Sequence, residues 1–165
     1  MQGFLKEYLE YSKETNANKS IKINISDLIN EVVDLSKFKE KKILVKCAKN
    51  LNIYNDKGSL YRIISNLFEN ACKYGEIVAI FARKKNGNII IDIEDNGPGI
   101  KNQFRREIFK PFYKIDNSRN LNAGGSGLGL SIAKELARKI GVKISLKNSK
   151  KYKGSCFSTI IPIAN

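Results

Sequence analysis

The stretch Asp56–Gly75, DKGSLYRIISNLFENACKYG, decides the reading of this chain. Leu60, Ile63, Ile64, Leu67, Phe68 and Ala71 recur at the spacing of one helix face. Asp56 supplies an N-cap and Gly75 a stop, so the spacing predicts a helix between them. On that helix Asn66, Asn70 and Lys73 fall at i, i+4 and i+7, a polar stripe beside an apolar face. Two readings of the stripe stand side by side. The amides are satisfied internally or face water. Alternatively they form a hard-cation site, with an amide oxygen as Mg²⁺ ligand and Lys73 as a point charge for phosphates sharing the metal.

Working outward, Ile77 to Arg83 and Asn88 to Glu94 flank Asn86-Gly87, the pair preferred where both central turn residues need positive φ, and predict a β-hairpin. Upstream, Ile21, Ile23 and Ile25 alternate as in a strand. Ser26-Asp27 offers an N-cap for a helix through about Phe38, and strand-like pieces follow at Ile43 to Cys47 and Leu51 to Tyr54. Downstream, Leu128, Ile132, Ala133, Leu136 and Ile140 mark a helix ending at Gly141. Strands near Val142 to Leu146 and Ser155 to Ile161 come after it. The expected fold is α+β: a two-layer α/β sandwich with a mixed, mostly antiparallel sheet, three main helices on one face and a long lid.

Between hairpin and last helix lie three stretches with chemical content. Asp95-Asn96-Gly97-Pro98-Gly99 is either a tight turn or a carboxylate at a strand end whose glycines let backbone approach a ligand; such a carboxylate can accept adenine's exocyclic amino hydrogen. Ile108 to Lys114 is an aromatic cluster that either seeds a small satellite core or docks a partner. Gly124-Gly125-Ser126-Gly127-Leu128-Gly129-Leu130 runs into a helix, so free N–H groups and the positive helix end face what lies in front; phosphate is the expected guest, a flexible hinge the alternative. A P-loop is absent, and the Rossmann pattern needs a strand directly before its glycines. Residues Gly97 to Gly125 make a loop long enough to serve as a lid.

Composition narrows the chemistry. The 165 residues suit one domain with a short extension. They contain no His, which excludes Ser-His-Asp catalysis, histidine–zinc sites and a histidine phosphoacceptor within them. Cys47, Cys72 and Cys156 are scattered, without a CxxC pair, and predict reduced thiols in a cytosolic setting. Of 30 basic residues 24 are Lys, spread along the chain, so the net charge of +14 predicts a solvated surface rather than nucleic-acid readout. No apolar run approaches the roughly 20 residues of a membrane span.

In this order the pieces resemble the four boxes of the histidine kinase catalytic domain, a branch of the ATPases that include gyrase, mismatch-repair proteins and heat-shock chaperones. Asn66 to Tyr74 is similar to the N box, Asp95 to Gly99 to the first glycine box, Phe109 to Phe112 to the F box, and Gly125 to Leu130 to the second glycine box. The resemblance covers residues 20 to 162. It implies ATP and Mg²⁺ as cofactors, Asn70 as the Mg²⁺ ligand, Asn66 and Lys73 near the phosphates, Tyr74 against the nucleotide and Asp95 on adenine. It further implies Gly97 and Gly99 shaping that pocket, and Gly125, Gly127, Leu128 and Gly129 cradling phosphate. Lys114 stands where many relatives carry a phosphate-contacting Arg and keeps the charge without the fork. Asn66 stands where related ATPases hold a water-activating Glu, which implies slow hydrolysis.

The resemblance divides the chain into residues 1–19, the tail of a helical dimerisation hairpin or a linker, and residues 20–165, the ATP-binding catalytic domain. The Phe4 to Tyr11 stretch is similar to that tail, which implies a monomeric fragment of a longer, membrane-associated homodimer. The implied partners are a histidine-containing dimerisation domain and a downstream response regulator, with no nucleic acid, and the domain is expected on the cytoplasmic side. A serine kinase of the anti-sigma type and a non-catalytic partner-binding nucleotide domain are the alternatives.

Overall fold

The computed structural model describes residues 19–115 and 125–163. The stretches Phe4 to Tyr11 and 116–124, including Gly124, lie outside them, so the hairpin-tail expectation is not addressed by this structure.

Strand β1 (Ile21–Asn24) leads into helix α1 (Ile25–Asp34), then β2 (Lys42–Cys47) and β3 (Asn52–Asn55). Helix α2 (Lys57–Tyr74) is followed by β4 (Ile77–Lys85), β5 (Asn88–Asp95) and single 3-10 turns at Asn102–Phe104 and Glu107–Phe109. Helix α3 (Gly129–Lys139) and strands β6 (Lys143–Asn148) and β7 (Ser155–Pro162) complete the described chain.

A five-stranded sheet runs β2-β4-β5-β7-β6. Only the β2–β4 pair is parallel; the other three pairs are antiparallel. A separate antiparallel pair joins β1 to β3. The two strand-like pieces around residues 43–54 therefore belong to different sheets. Strand alternation puts Val78, Ile80, Ala82, Ile91, Ile93, Phe157 and Ile161 on one face. There they share a core with Leu28 and Ile29 of α1, Ile64, Leu67 and Phe68 of α2, and Ile132 and Leu136 of α3. This is the expected α+β two-layer sandwich with helices on one face.

Local chemistry explains the element ends. The Asp56 carboxylate accepts the Ser59 N–H at 3.0 Å and caps α2. Gly75 ends α2 for a reason other than a left-handed cap: its φ is −109°, and a Cβ there would lie 2.9 Å from Asp95 Cβ. The expected cap at Ser26-Asp27 is corrected to Asn24, whose Oδ1 accepts the Asp27 N–H at 3.2 Å. The helix gains a turn because Ile25, fully buried, serves the core as its first residue rather than as a strand residue. The same helix ends at Asp34, short of Phe38. Asn86 and Gly87 take φ of 50° and 73°, as their hairpin requires.

Candidate functional site

The polar stripe of α2, the end of β5 and the start of α3 converge on one cleft of about 300 Å³. Asn66, Asn70, Lys73, Tyr74, Asp95, Gly99, Lys114, Gly125, Gly127 and Gly129 all line it. Gly97 and Leu128 do not, and each acts one step back. Gly97 donates its N–H to Asp95 Oδ1 at 2.8 Å. Leu128 is buried below the glycines and immediately precedes α3.

Asp95 sits on the helix-facing side of β5 and is only 2% exposed. Its Oδ1 also accepts the Ser155 N–H, at 3.2 Å. Burial pushes the carboxyl above its ordinary range, and the N–H donors of Gly97 and Ser155 pull the other way. With both donors on Oδ1, Oδ2 is the oxygen left for a donor entering the cleft. The surroundings admit no extra atoms: a Cβ on Gly97 would lie 2.7 Å from the Tyr74 carbonyl oxygen, and one on Gly154 would lie 2.3 Å from Asp95 Oδ1. Asn96 clamps this corner, its Oδ1 accepting the N–H groups of Glu76 and Ile77, each at 2.8 Å. Thus the end of α2 and the end of β5 are fixed to each other.

At the other end, a Cβ on Gly125 would lie 2.7 Å from Lys73 Nζ, so the ammonium rests against the glycine-rich backbone. A Cβ on Gly129 would lie 3.5 Å from Asn66 Oδ1. Asn66 Nδ2 is buried and has no hydrogen-bond partner among the described residues, which is costly unless a ligand or water accepts from it. No side chain caps α3, so its first N–H groups and its positive end remain available beside Lys73. Gly127 has φ of 77°, and a Cβ there would lie 2.9 Å from Phe112 Cα; the Phe112 N–H bonds the Gly127 carbonyl at 2.9 Å. This bond ties the aromatic stretch to the phosphate-type loop.

The aromatic stretch divides between its two expected roles. Ile108 is buried and Phe109 stands edge-on to Phe157, centroids 6.3 Å apart, as a satellite of the core. Phe112 is 56% exposed, on the rim of an apolar groove of about 920 Å³ that Phe109, Leu128 and Ile132 also line.

Besides Asn96, three contributors escaped sequence reasoning. Ser155 and Gly154 act through backbone, far along the chain from Asp95, and nothing in a Gly-Ser pair marks them. Lys37 lines the cleft from the connection after α1, within a lysine-rich run where no single charge stands out.

The chemistry available is that of an anion-binding loop facing a buried carboxylate, with an amide and an ammonium between them. Among the described residues no three His, Cys, Asp or Glu side chains form a metal cluster. A cation here would take the Asn70 oxygen and complete its shell with ligand oxygens and water, which is how Mg²⁺ is commonly held.

Comparison with known proteins agrees with this geometry. The family described as histidine kinase-, DNA gyrase B- and HSP90-like ATPase matches residues 55–165. The chain belongs to that family. Within it, the chain has the form of a histidine kinase catalytic, ATP-binding domain. It is 34% identical over 111 residues to the sensor histidine kinase YkoH of Bacillus subtilis, covering 66% of this chain and 24% of that protein. It is 32% identical over 147 residues to the sensor-like histidine kinase SenX3 of Mycolicibacterium smegmatis, covering 85% of this chain and 38% of that protein. Well under half of each relative is thus represented. Full-length ShkA in complex with AMPPNP superposes with a TM-score of 0.82 at 24% identity, over 99% of this chain and 36% of that one. The mycobacterial sensor histidine kinase MprB gives 0.75 at 22%, over 87% of this chain and 97% of that one. No described helix is long and apolar enough to cross a membrane.

Proposed function

We propose that this domain binds Mg-ATP and transfers its γ-phosphate to a histidine on a separate dimerisation and phosphoacceptor domain, as the catalytic module of a two-component sensor kinase. The observation that carries the reading is the pairing, in one cleft, of a buried carboxylate with an uncapped helix N-terminus behind glycines. Asp95 Oδ2 accepts the adenine amino hydrogen; guanine presents a carbonyl at that edge and is rejected. Tyr74, 45% exposed at the cleft, lies against the nucleotide, and Gly97 and Gly99 shape its pocket. The backbone of Gly125, Gly127 and Gly129, with Leu128 leading into α3, cradles the phosphates. Lys73 neutralises their charge, Lys114 adds a cation from the lid side, and Asn70 holds the metal. When bound, Mg²⁺ supplies charge neutralisation across the phosphate oxygens.

Asn66 has no proton-accepting group suited to activating water, so the γ-phosphate waits for an external nucleophile. The chain holds no histidine, and the acceptor comes from another domain. The apolar groove beside Phe112 suits docking of the helical hairpin that carries it. Transfer then rests on positioning and charge neutralisation rather than covalent help from the domain. A response regulator takes the phosphoryl group onward, and the parent protein is a dimeric sensor with this domain on the cytoplasmic side.

The test is calorimetric titration with a non-hydrolysable ATP analogue, with and without Mg²⁺, against the GTP analogue, followed by transfer to a supplied histidine-bearing hairpin. The expected result is adenine-selective binding, with Asn70→Ala retaining much of the binding and losing transfer. Equal affinity for both bases, or undiminished transfer by Asn70→Ala, would sink the assignment.

A further inference from the structure

The sheet face turned away from the helices has no part in the cleft, and it is built with more polar machinery than a plain solvated face needs. In register on that face stand Phe81 opposite Asp92, Asp92 opposite Ser158, and Glu94 opposite Cys156. Asp92 is buried; Arg83 bonds it at 2.6 Å and the Ser158 hydroxyl donates to its other oxygen. The Ser149 hydroxyl donates to Glu94. Both carboxylates are therefore engaged within the fold. Over them lies a groove of about 720 Å³, floored by Phe81 and Cys156 and rimmed by Lys46, Lys147, Lys150 and Lys151. Lys46, Lys147 and Lys150 are exposed and have no carboxylate partner among the described residues, while Lys151 lies over the Tyr152 ring.

We propose that this groove docks an acidic segment of a partner protein, which sets an apolar side chain against Phe81 and lays carboxylates along the lysine rim. Charge complementarity selects the occupant: unpaired ammonium groups surround a largely apolar floor, in a chain whose net charge is +14. A nucleic acid fits less well. Arg83, the one guanidinium here and the side chain best shaped for phosphate, is already spent on Asp92. The groove also offers a single ring, Phe81, rather than the series of aromatic faces on which successive bases stack. The surface lies on the opposite side of the sheet from Asp95, so docking is independent of the proposed nucleotide reading and survives its failure.

The test is fluorescence anisotropy of a short fluorescein-labelled peptide, in which pairs of Glu flank single Leu residues, with the 165-residue chain. One variant reverses the rim, Lys46→Glu, Lys147→Glu and Lys150→Glu. A second makes the same charge change at exposed sites elsewhere, Lys19→Glu, Lys22→Glu and Lys139→Glu. All six sites are exposed, so circular dichroism should report both variants folded. The expected result is saturable binding, weakened at least about tenfold by the rim variant and much less by the other. A saturating ATP analogue should leave the peptide bound. No binding, equal loss in both variants, or displacement by the ATP analogue would overturn the proposal. So would competition by a single-stranded oligonucleotide of matching charge as effective as that of the unlabelled peptide, which would assign the groove to nucleic acid.

Discussion

Asp95 concentrates the tension between stability and binding in this fold. Burial raises its pKa in the folded protein, so the protonated form favours folding. That contribution is fully present below the ordinary carboxylate pKa and is lost as pH rises through the raised folded value, above which the ionised group is a net cost. Asp95→Asn keeps an oxygen for the Gly97 and Ser155 N–H groups. Its melting temperature should therefore match the parent in acid and gain on it as the parent's carboxylate ionises, while nucleotide affinity falls by at least about a hundredfold. Parallel melts from about pH 4 to about pH 8 check the first part, and titration the second. The cysteines offer a separate check. Burial pushes Cys72 up to about 12 and Cys156 up to about 11; it also raises Cys47, but that thiol is only half-buried, on an edge strand. Alkylation of the native protein near neutral pH, read by mass spectrometry, should label Cys47 well before the other two. Asp95 was legible because a carboxylate running into glycines is a local pattern. Asn96, next to it, was not singled out, because its role lies in the N–H groups of Glu76 and Ile77, which only the folded chain brings near.

At the scale of elements, legibility followed the range of the cause. Helix α2 was readable because its periodicity and its Asp56 cap lie within twenty or so residues of sequence; the place of its stop was legible at Gly75, but the reason, the packing against Asp95, was not. Asp56→Ala should cost about 1 kcal/mol, seen as a shift in the denaturation midpoint with unchanged m-value, because the Ser59 N–H loses its acceptor. The start of α1 was displaced because an alternating Ile21-Ile23-Ile25 pattern and a helix opening at Ile25 both leave Ile25 buried; Asn24 decides between them through one hydrogen bond. The separation of β2 and β3 into different sheets was illegible for a deeper reason. Neither pairs with its neighbour in sequence: β2 runs parallel to β4 across α2, and β3 returns to β1. Gly154→Ala tests such a long-range contact, since its Cβ would strike Asp95. We expect a loss of stability of about 1–3 kcal/mol together with weaker nucleotide binding, whereas Gly87→Ala, with open space around it, should leave binding intact.

For the whole molecule, the cleft is the seam where α2, β5, the glycine-rich loop and β7 meet, and a ligand there ties together elements that are distant in sequence. An ATP analogue with Mg²⁺ at about a hundredfold over its Kd should add about 2.7 kcal/mol of stability, raising the melting temperature by roughly 5–10 °C. The GTP analogue should add little, and differential scanning calorimetry separates the two.

Strand β7 comes last among the described elements yet lies inside the sheet, between β5 and β6, and it carries the Ser155 N–H that holds Asp95. During synthesis, a ribosome that has released everything through α3 has released most of the residues that line the cleft, but not Ser155. Until β7 slots in, β5 presents a raw edge and the buried carboxylate lacks one of its two donors. A chain cut before Ser155 should therefore bind the ATP analogue more weakly in the same titration, since it leaves β5 with an open edge and Asp95 short of a donor.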